Sequence, residues 1–210
     1  MGFSILAGLL MIALPTFAEE VIHWQTDHAK LNGPGCKKEI DAFVTTNGDD
    51  LSIVFTELGL DLASHKEKPN TGRTHCMIQI PAEISSGIFM AELIQQVTYG
   101  VTKTERSSGT LSTRSHFFGF PVSPYDVHVP YGTFINDPLL VSRRVDRFGP
   151  GSHWKKGWCK KNRERKGKYQ AQMVVAGQKD GEAENLIMFV DGLDLRFELM
   201  ASLAQCGGER

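Results

Sequence analysis

The segment Leu193-Asp194-Leu195-Arg196-Phe197-Glu198-Leu199 alternates apolar and charged residues without a break. Strand side chains point to opposite faces at every second residue, so this period marks a strand with one face in a core and one in water. An amphipathic helix repeats its apolar residues three and four positions apart instead. A half-buried strand is therefore predicted here.

The same period recurs upstream. Leu51, Ile53 and Phe55 share one face of Asp50–Glu57, and Ser52, Val54 and Thr56 share the other. The β-prone run Phe43-Val44-Thr45-Thr46 precedes it, and Asn47-Gly48-Asp49 between the two reads as a hairpin turn. Cys76, Ile78 and Ile80 line one face of a strand that Pro81 is expected to end. Leu111, Thr113, Ser115 and Phe117 alternate with polar residues up to Gly119. Ile88 to Tyr99 fits either element: its Ala, Met, Glu and Gln content favours a helix, and its Val-Thr-Tyr end favours a strand. Pro121 to Gly151 is rich in Pro, Gly, Tyr and Asp without a sustained period and reads as a loop. Short strands punctuated by turn signals predict an all-β, antiparallel β-sandwich with long loops and at most one short helix.

Met1 to Ala18 reads as a secretory signal peptide: an apolar run from Ile5 to Leu14, a break at Pro15, and small residues at Thr16 and Ala18. The run falls short of the roughly 20 apolar residues that span a bilayer. About 190 residues follow, 19–210, enough for one sizeable core, with a long loop expected at about 121–168. A net charge of −1 gives no bulk electrostatic case for nucleic acid or a membrane surface. The four cysteines, Cys36, Cys76, Cys159 and Cys206, form no Cys-x-x-Cys pair and read as two disulfides of an exported chain. Three connectivities are open. Pairing Cys36 with Cys76 and Cys159 with Cys206 closes one loop in each half and is preferred, each loop contributing about 3 to 4 kcal/mol in the chain-entropy model.

In order and character these elements resemble the secreted family known as domain of unknown function 4360. The likeness runs through Gly35-Cys36, the strand Asp50–Phe55, Cys76-Met77-Ile78-Gln79-Ile80-Pro81 and Val97-Thr98-Tyr99-Gly100. It continues with Gly109-Thr110-Leu111, His116-Phe117-Phe118-Gly119, and Asp191-Gly192 opening the strand that leads to Cys206. The resemblance implies export, the same disulfide pairing and a β-sandwich. It brings no activity and no catalytic residues.

A basic segment carries the sharpest functional signal. Arg143, Arg144 and Arg147 precede Lys155, Lys156, Lys160, Lys161, Arg163, Arg165, Lys166 and Lys168, with Trp154, Trp158 and Tyr169 interleaved. Cations attract a polyanion by releasing its counterions, and aromatic faces stack on sugars or bases. A run of charge is also what a solvated loop carries. Aromatic residues between Phe117 and Phe148 (Phe118, Phe120, Tyr125, Tyr131 and Phe134 among them), with Asp126, Asn136 and Asp137, offer a second sugar-stacking platform or simply core packing.

Catalytic constellations are sparse. No Gly-x-Ser-x-Gly or His-Glu-x-x-His occurs among the residues. His23 and His28 are one residue too far apart for a single helix face, and His116 and His128 meet only if the fold joins them. Glu39/Asp41 and Asp191/Asp194 are the carboxylate pairs available to a glycosidase. A calcium site at Asn47, Asp49 and Asp50 matches no loop with defined ligand spacing, and the hairpin turn already explains those residues.

Together these residues predict an exported, non-catalytic binding domain for anionic glycan or envelope polymer. The expected contacts are Lys155, Lys156, Lys160, Lys161, Arg163 and Arg165 with Trp154 and Trp158. Two other classes stay open, a structural or adhesive protein meeting other proteins through its sheet faces and a polysaccharide hydrolase. Nothing in the sequence asks for a cofactor or a metal.

Overall fold

The structure, a computed structural model, describes residues 21–62, 70–84, 90–148 and 166–201. The signal-peptide stretch, Cys159, Cys206 and the basic segment from Trp154 to Arg165 lie outside the described residues.

The strands are β1 (Ile22–Trp24), β2 (Lys30–Asn32), β3 (Ala42–Asn47), β4 (Asp50–Phe55), β5 (Gly59–Asp61), β6 (Thr71–Ile84), β7 (Met90–Lys103), β8 (Ser107–Phe117), β9 (Phe120–Val129), β10 (Ile135–Phe148), β11 (Lys166–Lys179) and β12 (Leu186–Ala201). A 3-10 turn at Thr26–His28 is the only helical element among the described residues. Sheet I runs β1-β6-β11-β8-β9, with β2 also on β6. Sheet II runs β10-β7-β12-β4-β3, with β5 also on β12. Every ladder between these strands is antiparallel, and the two sheets face each other as the expected sandwich.

The alternating segments sit where their period requires. Leu193, Leu195 and Phe197 turn into the core from β12, and Cys76, Ile78 and Ile80 do so from β6. Phe117 is the hub between the sheets: its ring centroid lies 5.5 Å from Phe197 of sheet II and 6.1 Å from Trp24. Asn47 pairs with Asp50 across a two-residue turn whose first residue, Gly48, has φ 60. Glycine in that place is what a type II′ hairpin demands.

The β8–β9 turn is costlier. Phe118 and Gly119 both have positive φ, 52 and 81, as a type I′ turn requires. A bulky residue in that region is strained by about 1 to 3 kcal/mol. Phe118 offsets this by burying its ring edge-on to Phe117, at 4.8 Å, over Gly167, where a Cβ would stand 2.3 Å from the ring.

Two sequence expectations are corrected and one open alternative is resolved. Pro81 does not end its strand, because β6 continues to Ile84. The β1 partners begin at Ala82 and the β2 partners stop at Gln79, so the interruption of the neighbouring strand falls beside Pro81. Its carbonyl accepts from Gln25 N on that same side, so the ladder donor it lacks points into the interruption. The Ile88–Tyr99 ambiguity resolves as strand from Met90 onward, since β7 is laddered on both sides and pairing overrides a helix-leaning composition. The expected loop at 121–168 holds β9, β10 and the start of β11, with residues 149–165 outside the described residues.

The disulfide Cys36–Cys76 forms as expected, with Cα atoms 5.8 Å apart, and ties the chain after β2 to the middle of β6. A polar bridge also crosses the core: Gln95 Oε1 of sheet II accepts from Tyr169 OH at 2.8 Å and Ser115 Oγ at 3.0 Å, both of sheet I.

Candidate functional site

The outer face of sheet II carries a shallow trough of about 450 Å³. Ladder registers place Arg143 (β10), Gln96 (β7), Asp194 (β12), Ser52 (β4) and Thr45 (β3) side by side in one cross-strand row. Strands lie about 4.8 Å apart, so this row of five polar side chains is about 19 Å long. Ser52 Oγ donates to Asp194 Oδ1 at 2.5 Å and fixes the middle of the row.

The neighbouring rows differ from it. On one side Val141, Thr98, Gly192, Val54 and Phe43 align, with Val141, Val54 and Phe43 about half exposed. On the other, Val145, Ile94, Arg196, Asp50 and Asn47 align. Ile94 is buried under its neighbours and forms the trough floor. Arg196 Nε lies 3.8 Å from Asp50 Oδ1 and 2.9 Å from Glu198 Oε1. Two arginines and two aspartates line the trough, so it is balanced in charge. It offers hydrogen-bond donors and acceptors beside exposed apolar groups, which is chemistry suited to a flexible polyhydroxylated chain.

The sequence candidates scatter relative to this face. Arg143 enters the trough and Arg147 shares its outer face, where it donates to Glu92 Oε1 at 2.6 Å. Arg144 lies between them in sequence and so projects to the opposite face of β10. Tyr169, grouped with the basic aromatics in sequence, is fully buried and stacks on nothing outside. Of the proposed aromatic platform, Phe117, Phe118 and Tyr125 are core, whereas Tyr131 and Phe134 are exposed. Arg114 Nη1 holds Asp126 Oδ1 at 2.8 Å, an ion pair that keeps the Asp126 carboxyl below its usual range.

The catalytic candidates do not converge. His116 pairs with Pro121, and Thr110 with His128, so the two histidines are about 20 Å apart along sheet I. His23 lies in β1 and His28 ends the 3-10 turn, and both are exposed. Asp41 Oδ2 accepts from its own loop at Lys37 N, 3.3 Å, and Glu39 lies 3.8 Å from Lys38 Nζ. Asp191 sits in the β12 bulge between Val190 and Gly192, outside the trough that holds Asp194. At the β3–β4 turn, Asp49 Oδ1 accepts from Val21 N and Ile22 N. Among the described residues no group of His, Cys, Asp and Glu is arranged to hold a metal. No helix there is long and apolar enough to cross a membrane.

No family model and no curated protein matches the chain. Among solved structures it is similar to the carbohydrate-binding module TmCBM61 in complex with beta-1,4-galactotriose, at 9% identity and TM-score 0.31, over 80% of this chain and 88% of that one. It is also similar to the enzymatically active domain of tailspike protein 4 of bacteriophage CBA120, at 12% identity and TM-score 0.26, over 83% of this chain and 20% of that one.

Proposed function

We propose that the protein is a non-catalytic polysaccharide-binding domain that holds one glycan strand along the outer face of sheet II. The continuous polar row Arg143–Gln96–Asp194–Ser52–Thr45 beside the apolar row ending in Val54 and Phe43 carries this reading. A sugar ring has an apolar C–H face and a polar hydroxyl rim, and the two rows meet one each. Both trough carboxylates have partners, Asp194 with Ser52 and Asp50 with Arg196, so they serve as acceptors for hydroxyls. The Cys36–Cys76 disulfide fits work outside the reducing cytosol.

The finer proposal is an anionic glycan or envelope polymer. Its support is in the sequence: Lys155, Lys156, Lys160, Lys161, Arg163 and Arg165 with Trp154 and Trp158. The trough is balanced in charge, so preference for a polyanion falls to that segment. Kinship with the domain of unknown function 4360 family is proposed on its shared order of motifs.

Affinity electrophoresis of the full chain through gels carrying neutral or acidic polysaccharides tests both levels. Retardation by at least one polymer is expected, weakened about ten-fold in Gln96→Ala/Asp194→Ala, which removes two hydrogen-bonding groups. Replacing Lys155, Lys156, Lys160 and Lys161 by Ala weakens retention by acidic polymers alone, and added salt does the same. Mobility unchanged in every polymer overturns the reading.

A further inference from the structure

The outer face of sheet I, on the opposite side of the molecule, also sets polar side chains in cross-strand rows. Lys30 (β2), Gln79 (β6), Gln170 (β11) and His116 (β8) lie in one cross-strand row. The next row holds Asn32, Met77, Gln172 and Arg114. A depression of about 330 Å³ is lined by Gln79, Gln170, Gln172, His116, Arg114 and Met77.

Three amides on two adjacent interior strands, β6 and β11, are a specific choice. Each amide has two donors and a two-lone-pair acceptor and carries no charge. Gln79, Gln170 and Gln172 are half-buried by their neighbours, and among the described residues none of their side chains is hydrogen-bonded to another. Alternation along β6 and β11 places them on the outer face, opposite the core residues Ile78, Ile80, Ala171 and Met173. Arg114 is tied to Asp126, which leaves the centre of this face without net charge. Met77, 41% exposed, supplies the apolar neighbour that Val54 and Phe43 supply on sheet II. The centre of the face offers paired donors and acceptors beside an apolar patch, with exposed Lys30, Arg73 and Lys168 at its margins, so its complement is a stretch of hydroxyl-bearing chain.

The two faces are back to back. Sheets in a sandwich are about 10 Å apart, and their side chains project in opposite directions. One glycan strand lying flat on sheet II cannot reach sheet I without folding around an edge. We infer that the protein is bivalent, binding a second polysaccharide strand on the Gln79–Gln170–Gln172 face, and that it cross-bridges polymer chains. This rests on the glycan-binding reading above and adds a second site and a consequence, network formation.

The test uses the full oxidised chain mixed with soluble dextran, β-1,4-galactan and polygalacturonate, with retardation and light scattering measured in parallel. A bivalent bridge gives scattering that rises to a maximum as protein is added and falls again in excess, when the polymer sites are filled by separate molecules each engaged through one face. Gln79→Ala/Gln170→Ala/Gln172→Ala is expected to retain retardation within about three-fold and to lose the scattering maximum. Gln96→Ala/Asp194→Ala is expected to lose the maximum as well, and the combined variant to lose retardation altogether. These positions face solvent, and unchanged melting of each variant shows that its fold is intact. Retardation without a scattering maximum at any ratio overturns bivalence and leaves the single-face reading standing. A maximum that survives the sheet I substitutions overturns the assignment of the second site. Absence of retardation by all three polymers overturns both readings together.

Discussion

Asp49 receives the start of sheet I: its Oδ1 lies 2.7 Å from the backbone nitrogen of Val21 and accepts that N–H. The same oxygen accepts from Ile22 N at 2.8 Å, and Trp24 Nε1 donates to the Asp49 carbonyl at 2.9 Å. The β3–β4 hairpin of one sheet thus anchors β1 of the other. Hydrogen bonds to a carboxylate are the stronger kind, about 1.5 to 3 kcal/mol each. Asp49→Ala is expected to cost about 2 kcal/mol in urea denaturation and to speed amide exchange in Ile22–Trp24 before the rest of β6's ladder. Asp49→Asn, which keeps one acceptor, recovers part of the loss.

Lys103 is fully buried, and its ammonium donates to three main-chain carbonyls: Thr104 at 3.0 Å, Ser107 at 3.1 Å and Thr133 at 2.5 Å. It clamps the β7–β8 turn to the crossover between β9 and β10. Lys103→Met keeps the stem and leaves three carbonyls without this donor, at a cost of about 3 kcal/mol. Guanidinium unfolding reads the change as a lower midpoint with an unchanged slope.

Burial pushes the phenols of Tyr99, Tyr125 and Tyr169 above their ordinary range, Tyr169 furthest. A folded pKa raised above the unfolded one contributes stability below the unfolded value, about 10, and loses it as pH rises. The protein is therefore expected to weaken progressively above about pH 10. A phenolate absorbance titration should show these three of the four tyrosines ionising late, together with unfolding. Tyr169→Phe removes its bond to Gln95 and costs about 1 kcal/mol. Free titration of Tyr99, Tyr125 and Tyr169 in the folded state contradicts the burial.

Reduction of Cys36–Cys76 opens a loop closed across a separation of 40 residues. The chain-entropy model assigns such a loop about 4 kcal/mol. Cys36→Ala/Cys76→Ala should lower the denaturation midpoint accordingly, and reductant should have no further effect on this loop. A stability unchanged by the double substitution contradicts the model.

The sandwich was legible wherever one face of a strand meets the core and the other meets water, as in β4, β8 and β12. It was hidden where that contrast fails. β10 is an edge strand with Ser142, Arg144 and Asp146 on its core side and Val141, Arg143, Val145 and Arg147 outside, so neither face reads as apolar. Asp146 nonetheless has a structural task there, accepting from Ser123 N at 3.1 Å and Ser123 Oγ at 2.6 Å to join the two sheet edges. β9 is broken by Pro121, Pro124 and an irregular register between Thr113 and Ser115 on its partner. β7 hides a polar interior residue, Gln95, whose partners Ser115 and Tyr169 come from the other sheet. The polar row was illegible for a related reason. Thr45, Ser52, Gln96, Arg143 and Asp194 become neighbours only through ladder register, and no local spacing in the chain announces that.

The strand order has a consequence for how the chain is made. β11 and β12, the last two strands described, each take an interior place in their sheet: β11 between β6 and β8, β12 between β7 and β4. A nascent chain that has emerged only as far as β10 holds both flanks of each sheet and the centre of neither. Hairpins such as β3–β4 and β8–β9 can form at that stage, but Phe117 has no Phe197 to meet and Gln95 has no Tyr169. Folding is thereby deferred until β11 and β12 have emerged, and until then the chain stays open, threadable and dependent on whatever shields its exposed strands.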